Sequence, residues 1–440
     1  MTRKQILQDL AHNWHPCSQM KDFENNPPLL IKSAQGAYIT QTDGSQIIDA
    51  ISSWWCKPLG HHYKPINDAI TEQLNRFEHV MFGNTTYEHI IELSEKLSEL
   101  LPNLNKISYA SDGSCAVEIA LKISLHSRQI TGELKRQKFM ALENSYHGET
   151  GLAMSVSDLG IYRRPYQSVL PDVTFIQAIP YVTSKHDPLW QDCGEHWRAI
   201  EAQLIPYQDE LTAIIVEPIV QGAGGMKIYS QDFLARLRNW TREKGIHLIA
   251  DEIMTGFYRT GLELACHYAA CEPDFLCLAK GLTNGVLPLS VTLTNQSIYQ
   301  LFYDDYEAGK TFFHSHTHSG NALAVVAALH CLKGMALESL SDKVVLLEPI
   351  LANLMQEIAD DTQALTNVRY LGGIVAADLI NPNAIPRFGY QVGCEAMRQG
   401  ALLRPIGNTV YWFPPLNIEE NTLLKLRDIT RSSILNVNKI

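Results

Sequence analysis

Asp251 and Lys280 stand 29 residues apart, and each closes an apolar run, IHLIAD and FLCLAK. Open α/β sheets build their sites at the carboxyl ends of such buried strands, so the two side chains are expected to be near neighbours. A lysine ending a buried run is costly as a cation, because desolvation disfavours the ammonium unless its charge is removed or paired. A neutral amine beside a carboxylate is what holding an aldehyde cofactor as a Schiff base requires, with the acid keeping a pyridine nitrogen protonated. That is pyridoxal phosphate chemistry. A lone strand-end lysine is more often a solvated cap; here the glycine-rich GLTNGVLP that follows lets backbone and ligand approach closely.

Such a cofactor also needs an anion cradle and a flat partner for its ring. DGSCAVEIALKISL places Gly113 and Ser114 at a helix N-terminus, with backbone N–H groups and a hydroxyl for a phosphate. NSYHGET places Tyr146 directly after an apolar run, able to stack on the ring. Singly, the first reads as plain capping and the second as packing. Four such features at the ends of successive buried strands point to one site.

Two other chemistries are weaker. His314, His316 and His318 alternate and on a strand would share one face like the ligands of a metal hydrolase, with His61 and His62 as further candidates. The cluster contains no Asp or Glu and the chain has no HExxH, so no metal is expected. GAGGMK at 222–227 lacks the third glycine of a dinucleotide fingerprint.

The elements that must position these residues follow an α/β rhythm. Residues 105–111, 137–142, 211–218, 246–251 and 275–280 are apolar at successive positions, as strands covered on both faces must be. QDFLARLRNWTREKG, with Phe233, Leu237 and Trp240 at helical spacing and Lys244-Gly245 as a stop, reads as a crossover helix. From about 331 the pattern becomes α+β. Leu347, Leu351, Leu354 and Ile358 mark a long helix that Pro349 should kink or delay, and strand-like pieces follow at 367–380 and 401–415. Gly407-Asn408 reads as a hairpin turn with Arg404 on the strand before it, and 35–50 as a hairpin turning at Asp43-Gly44. Residues 181–196 read as polar and structure-poor. We therefore expect an N-terminal segment (1–64) packing with the small domain, a large α/β domain (65–330) and a small α+β domain (331–440).

The 440 residues are 45% hydrophobic and 19% charged, which excludes disorder as the main state. Thirty-six Lys and Arg against 47 Asp and Glu give a net charge of -11 with no basic block, so no nucleic-acid partner is expected. No run nears the roughly 20 apolar residues a membrane span requires, and the start lacks a signal-type apolar core. A cytoplasmic chain is expected. Its nine cysteines are scattered without CxxC pairs and read as free thiols.

DEIMTGFYRTG, followed by the Lys of LAKGLTNG, resembles the class III pyridoxal-phosphate-dependent aminotransferase signature, and the likeness covers nearly the whole chain. The segments WHPCSQM (14–20), SSWWCKPLGHHYKP (52–65), NSYHGET (144–150), EPIVQGAGGM (217–226), HSHTHSGNALA (314–324) and LLRPIGNTVYWFPP (402–415) resemble the branch that aminates 8-amino-7-oxononanoate in biotin synthesis. The resemblance implies a fold type I transferase, with a mainly parallel sheet flanked by helices plus a smaller α+β domain, acting as a homodimer with pyridoxal 5'-phosphate. It implies that Lys280 binds the cofactor and shuttles the proton, that Asp251 pairs with the ring nitrogen, and that Tyr146 covers the ring and touches substrate. Gly113 and Ser114 would hold the phosphate, completed by His316 and Thr317 of the neighbouring subunit. Trp54 and Ser315 would line the substrate pocket, and Arg404 would clamp the substrate carboxylate, a role suited to a guanidinium fork. The implied amino donor is S-adenosyl-L-methionine, on the strength of Trp54. FYDDYEAGKTFFHSH resembles relatives that use lysine, and another class III ω-aminotransferase is the broader alternative.

Three positions depart from the pattern. Cys17 stands at a substrate-binding position where a tyrosine is usual. Tyr258 replaces a small residue and is expected to crowd its turn. Ser111-Asp112 reverses the usual order, and phosphate binding is expected to survive because the backbone cradle remains.

Overall fold

The five apolar runs form strands with trimmed ends in the computed structural model, which describes residues 2–381 and 383–438. The seven-stranded sheet has the spatial order Lys106–Ala110, Ser290–Thr294, Phe275–Leu278, His247–Asp251, Leu211–Val216, Lys138–Leu142 and Thr174–Ile176. All strands are parallel except Ser290–Thr294, which is antiparallel to both neighbours. Helices cover both faces, so Leu211–Val216 and Phe275–Leu278 are buried at every position and His247–Asp251 at all but its first. Each fully buried Leu or Ile there contributes about 1.5–3 kcal/mol. The mainly parallel α/β core agrees with the expected fold class.

Two strands of this sheet escaped the pattern. Ser290–Thr294 is half hydroxylic, yet it is buried throughout. Its Ser290, Thr292 and Thr294 hydroxyls donate to the carbonyls of Asp112, Ala116 and Asp274, so polar side chains lie in the core without unmet hydrogen bonds. Thr174–Ile176 is only three residues long.

The crossover helix runs Gln231–Glu243, capped by Ser230, with Phe233, Leu237 and Trp240 on its buried face. Residues 181–196, expected to be structure-poor, are ordered instead. Tyr181–Val182 pairs with Lys227–Tyr229, and Asp187 caps the helix Pro188–Gln191 by accepting from the Leu189 N–H at 3.0 Å. Trp190 and Cys193 are buried and anchor the segment.

Residue 331, where the sequence pattern changes, lies inside the helix Ala322–Leu337. The chain bends eight residues later, at Ser339, and continues as Leu340–Thr362 at 68° to the first helix. Pro349 neither delays nor ends the second helix. The bond its nitrogen cannot make would have gone to the carbonyl of Val345, an exposed residue, so that oxygen can turn to water. Helix Leu340–Thr362 packs on the antiparallel strands Leu365–Leu371 and Ile374–Leu379, the second of which pairs with Thr409–Trp412. Among the described residues no single helix is long and apolar enough to cross a membrane.

The 35–50 hairpin forms as expected, with Tyr38–Gln41 against Gln46–Asp49 and Asp43 accepting from the Ser45 N–H at 2.9 Å. Its second strand pairs in parallel with Ala401–Leu402, and this contact ties the N-terminal segment to the C-terminal one. The Gly407-Asn408 turn also forms, closed by paired 2.9 Å bonds between Ile406 and Thr409. Arg404, however, is not on a strand. It lies beyond Ala401–Leu402 in the irregular approach to the turn, because Ala401–Leu402 pairs with the N-terminal hairpin rather than with Thr409–Trp412.

Candidate active site

Carboxyl ends of the parallel strands surround a cavity of about 560 Å³. Asp251 ends His247–Asp251, and Lys280 follows Phe275–Leu278 by two residues, where the chain leaves the sheet in a 3-10 turn with Lys280 at φ 44°. Gly113 and Ser114 open the 18-residue helix Gly113–Ile130 after Lys106–Ala110, and Tyr146 follows Lys138–Leu142. All five line the cavity, together with Trp54 and Cys17.

Their neighbours fix their chemistry. Asp251 is 4% exposed. Its Oδ2 meets His147 Nδ1 at 2.8 Å, and its Oδ1 accepts from the Ile253 N–H at 3.1 Å. Burial pushes the Lys280 amine below its ordinary pKa, and Asp251, Glu217 and Cys56 only partly oppose that shift. Lys280 Nζ lies 4.7 Å from the Trp55 ring centre. Ser114 Oγ lies 2.7 Å from Thr150 Oγ1 and accepts from the Thr150 N–H at 3.1 Å. The Tyr146 hydroxyl donates to Glu149 at 2.9 Å.

The reversed Ser111-Asp112 pair leaves the helix start intact, since Asp112 caps it by accepting from the Cys115 N–H at 3.0 Å. Tyr258 is accommodated: it adopts φ 66° and its hydroxyl donates to Glu263 at 3.3 Å.

Arg404 does not itself line the cavity but stands against two other predicted substrate-binding residues that do, Trp54 and Cys17. Its guanidinium lies 4.4 Å over the Trp54 ring, and its Nη2 donates to the Cys17 carbonyl at 2.8 Å. Ser315, His316 and Thr317 do not line this cavity; they lie in the irregular segment before helix Ala322–Leu337.

A profile of class-III aminotransferases matches residues 20–433. This chain belongs to the class-III aminotransferases. It is 37% identical over 421 residues to the adenosylmethionine-8-amino-7-oxononanoate aminotransferase of Helicobacter pylori, covering 95% of this chain and 94% of that one. It is 36% identical over 427 residues to the enzyme of the same name from Synechococcus elongatus, covering 95% and 96%. The crystal structure of the Methanocaldococcus jannaschii enzyme of that name superimposes with a TM-score of 0.91 at 28% identity over 99% of both chains. A pyridoxal phosphate-bound amine transaminase from an uncultivated Pseudomonas species gives 0.88 at 28% identity, covering 97% and 98%.

The site of this class-III aminotransferase fits that cofactor. An added Cβ on Gly113 would lie 2.9 Å from the Ile253 side chain, and one on Gly148, at φ 126°, would strike Ser114 Oγ, so the helix start is kept open by residues without side chains. His147 Nε2 is buried without a partner, while its Nδ1 orients the acid that would face the ring nitrogen. An amine, a fixed carboxylate, an aromatic ring and a helix N-terminus therefore converge on one cavity.

His147 and Glu217 were not singled out from the sequence. Glu217 closes Leu211–Val216 as Asp251 closes its own strand, so the same signal could have found it. It accepts from the N–H groups of Tyr146 and Gly222, both at 2.9 Å. Burial, reinforced by the Asp251 charge, raises its pKa to about 7, against the pull of His147 and those N–H groups. The folded chain thus holds this proton up to about pH 7, whereas the unfolded chain releases it near 4.5. Stability from this group is lost as pH rises between those values, by roughly 3 kcal/mol at 1.36 kcal/mol per pKa unit. Denaturant titrations of cofactor-free protein at pH 5 and pH 8 should show that fall, and Glu217→Gln should flatten it.

The other chemistries find no geometry. The segment holding His314, His316 and His318 is not a strand. His314 Nδ1 meets Lys122 Nζ at 2.9 Å, and His318 lies against His79. Among the described residues no three His, Cys, Asp or Glu group as metal ligands. GAGGMK leads into the strand Lys227–Tyr229, not the helix a dinucleotide turn requires.

Proposed function

We propose that this class-III aminotransferase moves an amino group from S-adenosyl-L-methionine to 8-amino-7-oxononanoate, giving 7,8-diaminononanoate in biotin synthesis. The cofactor is pyridoxal 5'-phosphate. The observation that carries the reading is Arg404, which does not itself line the cavity but lies 4.4 Å over the ring of Trp54, a residue that lines the cavity with Lys280, in a chain whose relatives are named for this reaction. When bound, the cofactor supplies an electron sink for the carbon that loses a proton.

The chain's own residues do the rest. Lys280, whose pKa burial lowers from the ordinary lysine value, is the group placed to accept and return the proton. Asp251, held by His147 and the Ile253 N–H, would pair with the ring nitrogen of the bound cofactor. Gly113 and Ser114 would bind its phosphate, and Tyr146 would cover its ring. Arg404 and Trp54 receive the acceptor's carboxylate end, near Cys17. The protein works in the cytoplasm as a homodimer, in which Ser315, His316 and Thr317 of one protomer complete the other's site.

Supplying adenosylmethionine and lysine separately as donors tests the reading. Turnover of 8-amino-7-oxononanoate is expected with adenosylmethionine; turnover with lysine alone would overturn the donor assignment, and turnover with neither would overturn the acceptor. Arg404→Ala should raise the KM for the acceptor roughly 10- to 100-fold, the equivalent of a charged hydrogen bond worth about 1.5–3 kcal/mol, and lower kcat much less. An unchanged KM would remove Arg404 from the site.

A further inference from the structure

Four consecutive residues, Ser52, Ser53, Trp54 and Trp55, have φ of 48°, 45°, 78° and 72°. Left-handed backbone costs L-residues roughly 1–2 kcal/mol each, and none of the four is Gly, Asn or Asp, which enter that region most readily. This turn nevertheless carries both indoles to the active site: Trp54 under the Arg404 guanidinium and Trp55 beside Lys280 Nζ. Strained backbone persists only where its surroundings over-determine it.

The determinant is Asp49, the 0% exposed last residue of Gln46–Asp49. Its Oδ1 accepts from the N–H groups of Ile51 at 3.3 Å and Ser53 at 3.0 Å. Its Oδ2 accepts from Ser53 Oγ at 2.7 Å and pairs with His61 Nε2 at 2.8 Å. Three of these four bonds come from the turn or the residue that enters it. Burial alone would raise the pKa of this acid, but the bonds from His61 and Ser53 outweigh burial and hold it below the ordinary carboxylate range. The group is therefore an anion, and its hydrogen bonds are roughly twice as strong as neutral ones. Both ends of the turn are also latched to the C-terminal strand region, with Ser52 Oγ donating to the Phe413 carbonyl at 2.7 Å and Trp55 Nε1 to the Tyr411 hydroxyl at 3.1 Å.

We propose that Asp49 is a positioning residue for the carboxylate-binding subsite: its buried carboxylate holds Ser52–Trp55 in the left-handed turn and so sets Trp54 against Arg404. The proposal rests on the reading of Arg404 given under Proposed function. Asp49 does not line the cavity, so its removal should act on acceptor binding more than on the chemical step.

Asp49→Asn keeps the shape and removes the charge. We expect the KM for 8-amino-7-oxononanoate to rise tenfold or more, kcat and the cofactor absorbance of the holoenzyme to stay within about threefold, and the near-ultraviolet circular dichroism of the tryptophans to change. Glycine adopts φ 45° without strain, so Asp49→Asn combined with Ser53→Gly should recover most of the lost KM and of the dichroism. An unchanged KM and dichroism in Asp49→Asn, a kcat that falls as far as KM rises, or a double variant no better than the single would each overturn the proposal. Should Asp49→Asn fail to fold, Ser53→Ala, which removes one of the four donors, is expected to raise KM about threefold, and no rise would overturn it. The dichroism and its recovery do not depend on the acceptor's identity. If the native enzyme did not turn over the oxononanoate, the functional reading would fail while these spectra still decided the role of Asp49.

Discussion

Lys280→Ala should abolish turnover, by at least about 10³-fold, because on the proposed reading it removes both the amine that would bind the cofactor and the base that would move the proton. The variant should fold: Lys280 lies outside the sheet ladder, and it faces a cavity instead of filling the core. Borohydride treatment of the native holoenzyme, followed by peptide mapping, should leave a pyridoxyl label on the peptide containing Lys280 and none on the variant. Ordinary turnover in Lys280→Ala, or a label on another lysine, would refute the assignment of the site.

The second large effect concerns Asp251. Asp251→Asn retains the shape and an oxygen for the Ile253 N–H but removes the carboxylate that, on the proposed reading, would pair with the ring nitrogen. The position is 4% exposed, where water screens little, so the charge should act at nearly full strength. We expect kcat to fall about 10²- to 10³-fold, the scale set by removing one preorganised electrostatic partner from a closed site, while the Lys280 label persists. A fall of less than threefold would show that the His147–Asp251 pair does not govern the reaction. Because His147 Nδ1 meets the Asp251 Oδ2 at 2.8 Å, His147→Ala should reproduce part of this loss by freeing the carboxylate to turn.

The two residues with the largest predicted effects were legible in the sequence because burial makes them conspicuous. A charged residue ending an apolar run is expensive wherever it is not used, and Asp251, Lys280 and Glu217 all obey that rule. The strands of the parallel core were legible for the same reason, being covered on both faces. What escaped was stabilised by partners remote in the chain. Ser290–Thr294 looks polar until its hydroxyls are seen to meet carbonyls at 112, 116 and 274. His147 gains its meaning from an acid 104 residues away, and Arg404 sits in irregular backbone because Ala401–Leu402 pairs with a hairpin at the opposite end of the sequence. Residues 181–196 were misread since their two buried anchors, Trp190 and Cys193, are diluted by exposed polar neighbours.

On the proposed role of Arg404, its contact with the Cys17 carbonyl bears on how the site would tell one tail group from another. With Nη2 already bonded to a backbone oxygen at 2.8 Å and its flat face on an indole, the guanidinium is not short of company. An amide or ester at the end of a substrate would meet the remaining N–H donors with bonds about half as strong as those a carboxylate would accept, so on this reading charge, more than the number of bonds, would favour an acid tail.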